Sequence, residues 1–130
     1  MKIMISQPMN GVPDDQVIKN QEHYKELFAK LHIEVIDSFI NDPCPDDCNY
    51  PGVFYLGRTI MEKMHTIDAV FFAKGWEKAR GCRIERKICE EYGILILDDE
   101  IMDTLINKKN NTRVTTPIFD ENSRYTDITT

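Results

Sequence analysis

The chain lacks a long apolar run, an excess of positive charge and the pairs of metal-binding residues that would suggest a bound ion. None of its apolar stretches approaches the ~20 residues a helix needs to cross a bilayer. The opening Met1 to Ser6 is too short for a signal peptide's apolar region and runs straight into the turn-rich Gln7-Pro8-Met9-Asn10-Gly11. A cytoplasmic protein with no membrane partner is therefore expected. Lys and Arg number 16 against 22 Asp and Glu, giving a formal charge of -6. A basic face able to neutralise phosphates is thus missing overall, and nucleic acid is not an expected partner. The four cysteines, Cys44, Cys48, Cys82 and Cys89, would stay reduced in the cytosol. Cys44 and Cys48 resemble half of a zinc site, but Cys82 and Cys89 follow a helical pattern and no two histidines have ligand spacing. Neither a metal nor another cofactor is expected.

What the chain does have is enough apolar material for one core. With 130 residues, 42% of them hydrophobic and 29% charged, it fits one globular domain. The main domain is expected over residues 1–106, with 107–130 as a polar extension that is mobile in part.

The order of periodic segments gives the fold class. Ile3 to Ser6 reads as a buried strand. Pro13 suits the start of a helix, Asp14 and Asp15 its positive end, and Val17, Tyr24, Leu27, Phe28 and Leu31 its buried stripe. Glu34 to Phe39 reads as a second strand, and Asn41 to Gly52 as loop. Leu56, Ile60, Met64 and Ile67 mark a second helix, and Ala69 to Ala73 a third strand. After a loop from Gly75 to Gly81 comes a helix whose inward positions are expected to be Ile84, Ile88, Cys89 and Tyr92, ended by Gly93 in a left-handed cap. Ile94 to Leu97 is strand four, and Asp98 or Asp99 can cap a last helix through Leu105. An edge strand around Val114 to Phe119 would be a fifth. Alternating strands and helices imply right-handed crossovers, hence an α/β three-layer sandwich of flavodoxin-like type with a parallel sheet in the order 2-1-3-4, extended to 5 if that last strand forms.

In such a sheet the connection reverses between strands one and three, opening a crevice at their carboxyl ends where ligands bind. Two loops meet there: Ser6 to Gly11 and Lys74 to Gly81. Between Lys74 and Lys87 six basic residues face only Glu77 and Glu85, so this segment could hold an anionic small molecule or could be a solvated helix face. Glu85 falls in the first turn of the following helix, where the dipole would keep it ionised. Such a carboxylate could attack the anomeric carbon of a bound sugar, or could simply be an acid at a favourable helix position. Gly11, Gly75 and Gly81 would admit a ligand close to the backbone, although turn geometry explains them equally well. Trp76 could stack on a base or cover the core edge. Asp68 lies at the amino end of strand three, on the wrong side of the sheet, and His23, His32 and His65 have no evident partners, so all four are left out of the site.

The segments Lys2-Ile3-Met4-Ile5-Ser6-Gln7-Pro8-Met9-Asn10-Gly11, Ile67-Asp68-Ala69-Val70-Phe71-Phe72 and Gly75-Trp76-Glu77-Lys78-Ala79-Arg80-Gly81-Cys82-Arg83-Ile84-Glu85 resemble the nucleoside 2-deoxyribosyltransferase-like superfamily, in particular its prokaryotic and phage branch. The likeness covers about Met1 to Leu97. It implies a flavodoxin-like domain in a homodimer or larger assembly, with Glu85 as the nucleophile towards the sugar C1′. It also implies that Gln7, Met9, Asn10 and Gly11 line the sugar or its 5′-phosphate, and that Gly81 contacts the ligand. Ser6, Gly75, Trp76, Arg80 and Arg83 complete the expected binding set by their place in the two loops and the helix start. The departures matter too. Ile60, with Thr59 beside it, stands where active relatives carry an aspartate for the nucleobase, and a loop aspartate is replaced near Ala79; Glu77 is a candidate substitute. A leaving group that needs no proton, such as a cationic nicotinamide-type base, would fit this loss. The expected activity is cleavage of an N-glycosidic bond in a nucleoside, nucleotide or ADP-ribose-like molecule, as a hydrolase or a glycosyltransferase, with hydrolysis favoured over transfer to a second base. The competing expectation is a non-catalytic nucleotide-binding protein that sequesters or senses its ligand.

Overall fold

The computed structural model describes residues 1–110. The edge strand expected at Val114 to Phe119, and most of the polar extension, lie outside them.

Alternation along the first strand, β1 (Lys2–Ser6), sets the layers. Ile3 and Ile5 point to one face of the sheet and Met4 to the other, all of them almost wholly buried, as the period-2 geometry of a strand requires. β1 pairs in parallel with β2 (Glu34–Val35) on one side and β3 (Ala69–Phe72) on the other, and β3 pairs with β4 (Leu95–Asp98). The sheet order is 2-1-3-4, all parallel, and the fold is the expected α/β flavodoxin-like sandwich. Both faces are covered: Phe28 and Tyr24 of α1 (Asp14–Ala29), with Ile101 of α4 (Asp99–Asn110), pack on Ile3, Ile5 and Phe71. Cys82 and Cys89 of α3 (Arg80–Tyr92), together with Ile60 and Met64 following α2 (Pro51–Thr59), pack on Met4, Val70 and Phe72. Among the described residues no helix is long and apolar enough to cross a membrane.

Several boundaries differ from expectation, each for a local reason. β2 has two residues rather than six, because the chain turns away after Ile36: Ser38 donates its hydroxyl to the Ile5 carbonyl at 3.3 Å, and Asp37 accepts the Phe39 N–H at 3.0 Å. α2 begins at Pro51, inside the segment expected to be loop, since proline fits a first helical position. It widens into a π-type turn over Ile60–Met64, just after Thr59 turns its hydroxyl back to the Tyr55 carbonyl at 3.1 Å. α3 presents Cys82, Glu85 and Cys89 inward, while Ile84 is 40% and Tyr92 81% exposed, so two of the expected inward positions face out. Gly93 ends α3 with φ 70°, the left-handed cap expected of it. α4 is capped by Asp98, which accepts the Ile101 N–H at 3.1 Å, and runs to Asn110, past Leu105 and the expected domain limit at 106.

Candidate functional site at the carboxyl end of the sheet

The carboxyl ends of β1 and β3 lie side by side, with Ser6 opposite Phe72 in register. Backbone alternation continues past the strand: Ser6 turns to the α3 side and Gln7 to the α1 side, both 5% exposed or less. The loop after them turns over Met9 to Val12, closed by the Val12 N–H to the Met9 carbonyl at 3.0 Å, and Gly11 takes the positive φ of 80° that such a turn needs at its third position. Met9, Asn10 and Gly11 are exposed on that loop. Facing them, Gly75 has φ 91°, and a side chain there would approach Pro8 at 3.5 Å. That is ordinary contact distance, so the left-handed backbone, not lack of room, is what favours glycine there.

Among the described residues Glu85 is the one buried carboxylate, 9% exposed, and its Oε1 accepts a 2.5 Å hydrogen bond from the Ser6 hydroxyl. Its sequence-based setting needs correction. α3 starts at Arg80, so Glu85 stands in the second turn, beyond the orphan N–H groups of the helix start. Cys82 lies one turn before it and Cys89 one turn after it on the same inward stripe, and both are buried. Removal from water raises the Glu85 carboxyl, and the Ser6 hydrogen bond lowers it in part, leaving it pushed up to about 7. It is therefore divided between acid and carboxylate at neutral pH instead of being firmly ionised. Burial pushes the Cys82 thiol up to about 11 and the Cys89 thiol to about 12, so neither is a nucleophile at neutral pH.

The basic residues of this segment do not converge on Glu85. Arg80 and Arg83 are exposed, and Arg83 donates to the Glu77 carbonyl at 2.9 Å, bracing the single 3₁₀ turn Trp76–Lys78. Arg86, which the sequence reading did not single out, lies over the Trp76 ring at 4.2 Å and the Phe72 ring at 5.2 Å. Trp76 meets Phe72 edge-on with centroids 5.8 Å apart, so one of its faces carries a guanidinium and its edge covers the core. Gly81 sits in the first turn of α3 rather than in the loop, with open space where a Cβ would go. Asp68 accepts the Lys2 N–H at 2.8 Å at the far end of the sheet, the structural role expected of it.

The α1 side has two cavities, the larger of them at the same strand end. One, of about 340 Å³, is walled by Gln7, Pro8, Asn20, His23, Tyr24 and Lys74 among others; the second, of about 180 Å³, lies beside Gln21, Lys25, Asp37 and Phe39. A chain of buried polar groups joins them. Gln7 Nε2 donates to the Val17 carbonyl at 3.2 Å and to Gln21 Oε1 at 3.4 Å, and the Ser38 hydroxyl reaches Gln21 Oε1 at 3.4 Å. Gln7 Oε1 and Gln21 Nε2 are left without partners. Of these residues only Gln7 was expected in the site. Gln21 falls one turn after Val17 on the inward stripe of α1, and a glutamine in an apolar stripe is the signal that could have flagged it. His23, set aside from sequence, lines the larger cavity; Glu85 borders neither.

The loop containing Cys44 and Cys48 is tied to α2 by Arg58, which pairs with Asp42 at 3.0 Å and with Glu62. All four cysteines are free, and among the described residues no three His, Cys, Asp or Glu side chains gather as a metal site would require.

No curated protein matches the chain, and no solved structure does. One family model matches, described as "Domain of unknown function (DUF4406)", over residues 1–98. That span runs from the start of β1 to the end of β4 and holds the crevice, both of its loops and Glu85; the chain belongs to the DUF4406 family.

Proposed function

We propose that this protein binds a nucleoside, nucleotide or ADP-ribose-like molecule at the carboxyl ends of β1 and β3 and cleaves its N-glycosidic bond through Glu85. The observation that carries this reading is the buried Glu85 carboxyl, held by the Ser6 hydroxyl at 2.5 Å at the point where the sheet connection reverses. The likeness of the loop motifs to the nucleoside 2-deoxyribosyltransferase-like superfamily supports it.

In the ionised form, a Glu85 oxygen bonds to the anomeric carbon, and the carbon–nitrogen bond breaks with its electron pair leaving on the base. Water then releases the sugar from the glycosyl-enzyme. A poorly hydrated carboxylate is a stronger nucleophile than a solvated one, and a pKa near 7 still leaves about half of it ionised at neutral pH. The positions expected to handle the leaving base supply no acid: Thr59 spends its hydroxyl on the Tyr55 carbonyl, Ile60 packs in the apolar layer, and Glu77 is exposed. That favours a base that departs without a proton, and hydrolysis over transfer. Val53, Met61 and Ile84, on elements of the α2–α3 layer, are exposed apolar side chains that a second copy of the chain could cover, which is compatible with a homodimer or larger homo-oligomer.

The test is release of free base from a panel of nucleosides, nucleoside monophosphates and NAD-like dinucleotides. Wild type should turn over at least one, and Glu85→Gln should lose about a thousandfold or more in turnover while still binding it. With Glu85 as nucleophile, kcat/KM climbs as pH rises through about 7 and then levels off. A rate that falls across the same range would make Glu85 a proton donor and end the nucleophile assignment.

One observation favours a second reading, a non-catalytic nucleotide-binding protein: Glu85 is closed in, and both cavities lie across the sheet from it. In that case nucleotides raise the melting temperature, yet no base is released by wild type or variant.

A further inference from the structure

The larger cavity on the α1 side has the properties of a ligand pocket that Glu85 does not explain. Its volume of about 340 Å³ falls at the small end of the range for small-molecule sites, about 300–1,000 Å³. Its walls divide by chemistry. Pro8, Ala73 and the Tyr24 ring are apolar, and that ring is fixed from behind by Phe71 at 4.9 Å. Asn20, His23 and Lys74 are polar, and Gln7 stands at the strand end. Gln7 is 5% exposed, and its Oε1 has no hydrogen-bond partner. An unpaired buried amide oxygen costs about 1–3 kcal/mol; this one is itself closed off from the cavity, so it meets an N–H supplied there only when the carboxamide turns. The two bonds holding the other end of the carboxamide, at 3.2 and 3.4 Å, are at the long limit and restrain its rotation weakly.

Charge selects the ligand further. Lys74 is close enough to Asp99 to counter the rise in its pKa, so the cation beside the cavity already has a carboxylate near it. Tyr24 is held above its ordinary pKa by burial and by the same Asp99, which keeps its hydroxyl a donor. A lysine with a carboxylate in its neighbourhood gives a phosphate less advantage over an uncharged or cationic ring.

We infer that this cavity holds the base of the substrate, a planar heterocycle that donates an amino or amide N–H to Gln7 Oε1 and lies along the Tyr24 ring, with the sugar passing over the end of β1 towards Glu85. The inference rests on the N-glycosidic reading for the identity of the ligand. The cavity and its unpaired acceptor are independent of any reaction.

Free adenine, cytosine and nicotinamide are the probes, titrated into the full chain and followed by NMR of backbone and side-chain amides. At least one should bind, with shifts centred on Gln7, Asn20 and Tyr24, and dimethylating its exocyclic nitrogen should weaken binding at least tenfold. Val12→Phe, which fills the cavity from its half-buried rim, should abolish those shifts. Gln7→Leu should remove the preference for the unmethylated ring; if that variant does not fold, Val12→Phe carries the test. Glu85→Gln should bind the base as wild type does. If none of the three bases shifts these residues, or if Val12→Phe leaves the shifts intact, the pocket assignment is wrong. Base binding without release of base from any of the nucleosides, nucleoside monophosphates or NAD-like dinucleotides keeps the pocket and ends the cleavage reading. Cleavage with a KM indifferent to Val12→Phe keeps the reaction and ends the pocket.

Discussion

The two sides of the sheet receive neighbouring residues of one strand and use them in opposite ways. On the α3 side, Ser6 meets a carboxyl between two buried thiols, and the space is filled. On the α1 side, Gln7 joins a line of neutral amides with cavities at either end. The group most able to do chemistry is thus packed where water is scarce, and the open volume is bordered by groups that recognise rather than react. A ligand that used both would have to cross the end of β1, and the adjacency of Ser6 and Gln7 makes that crossing one residue long.

The largest expected effect separates the layers by packing. Phe71 is fully buried against Tyr24 and Phe28, and its neighbour Phe72 lies on the other side under Trp76 and Arg86. Phe71→Ala should destabilise the fold by about 3–5 kcal/mol in urea denaturation. It should also shift Tyr24 resonances, whereas Phe72→Ala should leave Tyr24 unmoved and disturb Trp76. Tyr24 responding equally to both variants would mean that the sheet does not insulate its faces.

Next in size is the cost of closing in Glu85. Its folded pKa is raised to about 7, so between the unfolded value near 4.5 and 7 the folded chain holds a proton that the unfolded chain has lost. Its contribution is therefore fully present below about 4.5 and is lost as pH rises through 7. A shift of this size corresponds to about 3 kcal/mol. Glu85→Gln should gain stability relative to wild type by that order between pH 4.5 and pH 8, measured by denaturant titration at each pH. A pH-independent difference would mean that the carboxyl is solvated. Ser6→Ala, which removes the hydrogen bond that favours the anion, should move the titration midpoint of Glu85 upward, as followed by NMR of its side-chain carbon.

The smallest effect tests where the sheet hands over to α4. Asp98→Ala removes the cap on Ile101 and should cost about 1 kcal/mol, with little change at either Glu85 or the cavity.

Sheet order and layers were legible because the signals were redundant. Ile3 to Ser6 and Ala69 to Ala73 are apolar runs of strand length, and the helices between them have their own periodic stripes. The end of β2 was not legible, since Ser38 takes over a strand's bonding with a side chain and leaves no trace in apolar pattern. The phase of α3 was misread because Ile84 and Tyr92 are more apolar than Cys82 and Glu85, yet the helix buries the latter pair. The nearness of Glu85 to the carboxyl end of β1 was anticipated; its closing-in, away from both cavities, and its protonation were not. Ionisation was inferred from a helix start that lies two residues earlier than expected, and burial dominates at Glu85 instead. Gln21, Tyr24 and His23 were missed as cavity residues because two adjoining turns of α1 approach the strand end only in three dimensions.

The brevity of β2 has one further consequence, for self-association. An outermost strand offers its outward N–H and C=O groups to any extended segment that drifts against it. Here only two residues form that border, and the chain beyond them bends away into a stretch carrying Pro43 and Pro45, which cannot donate. That flank of the molecule is too short a template for another chain to zip onto.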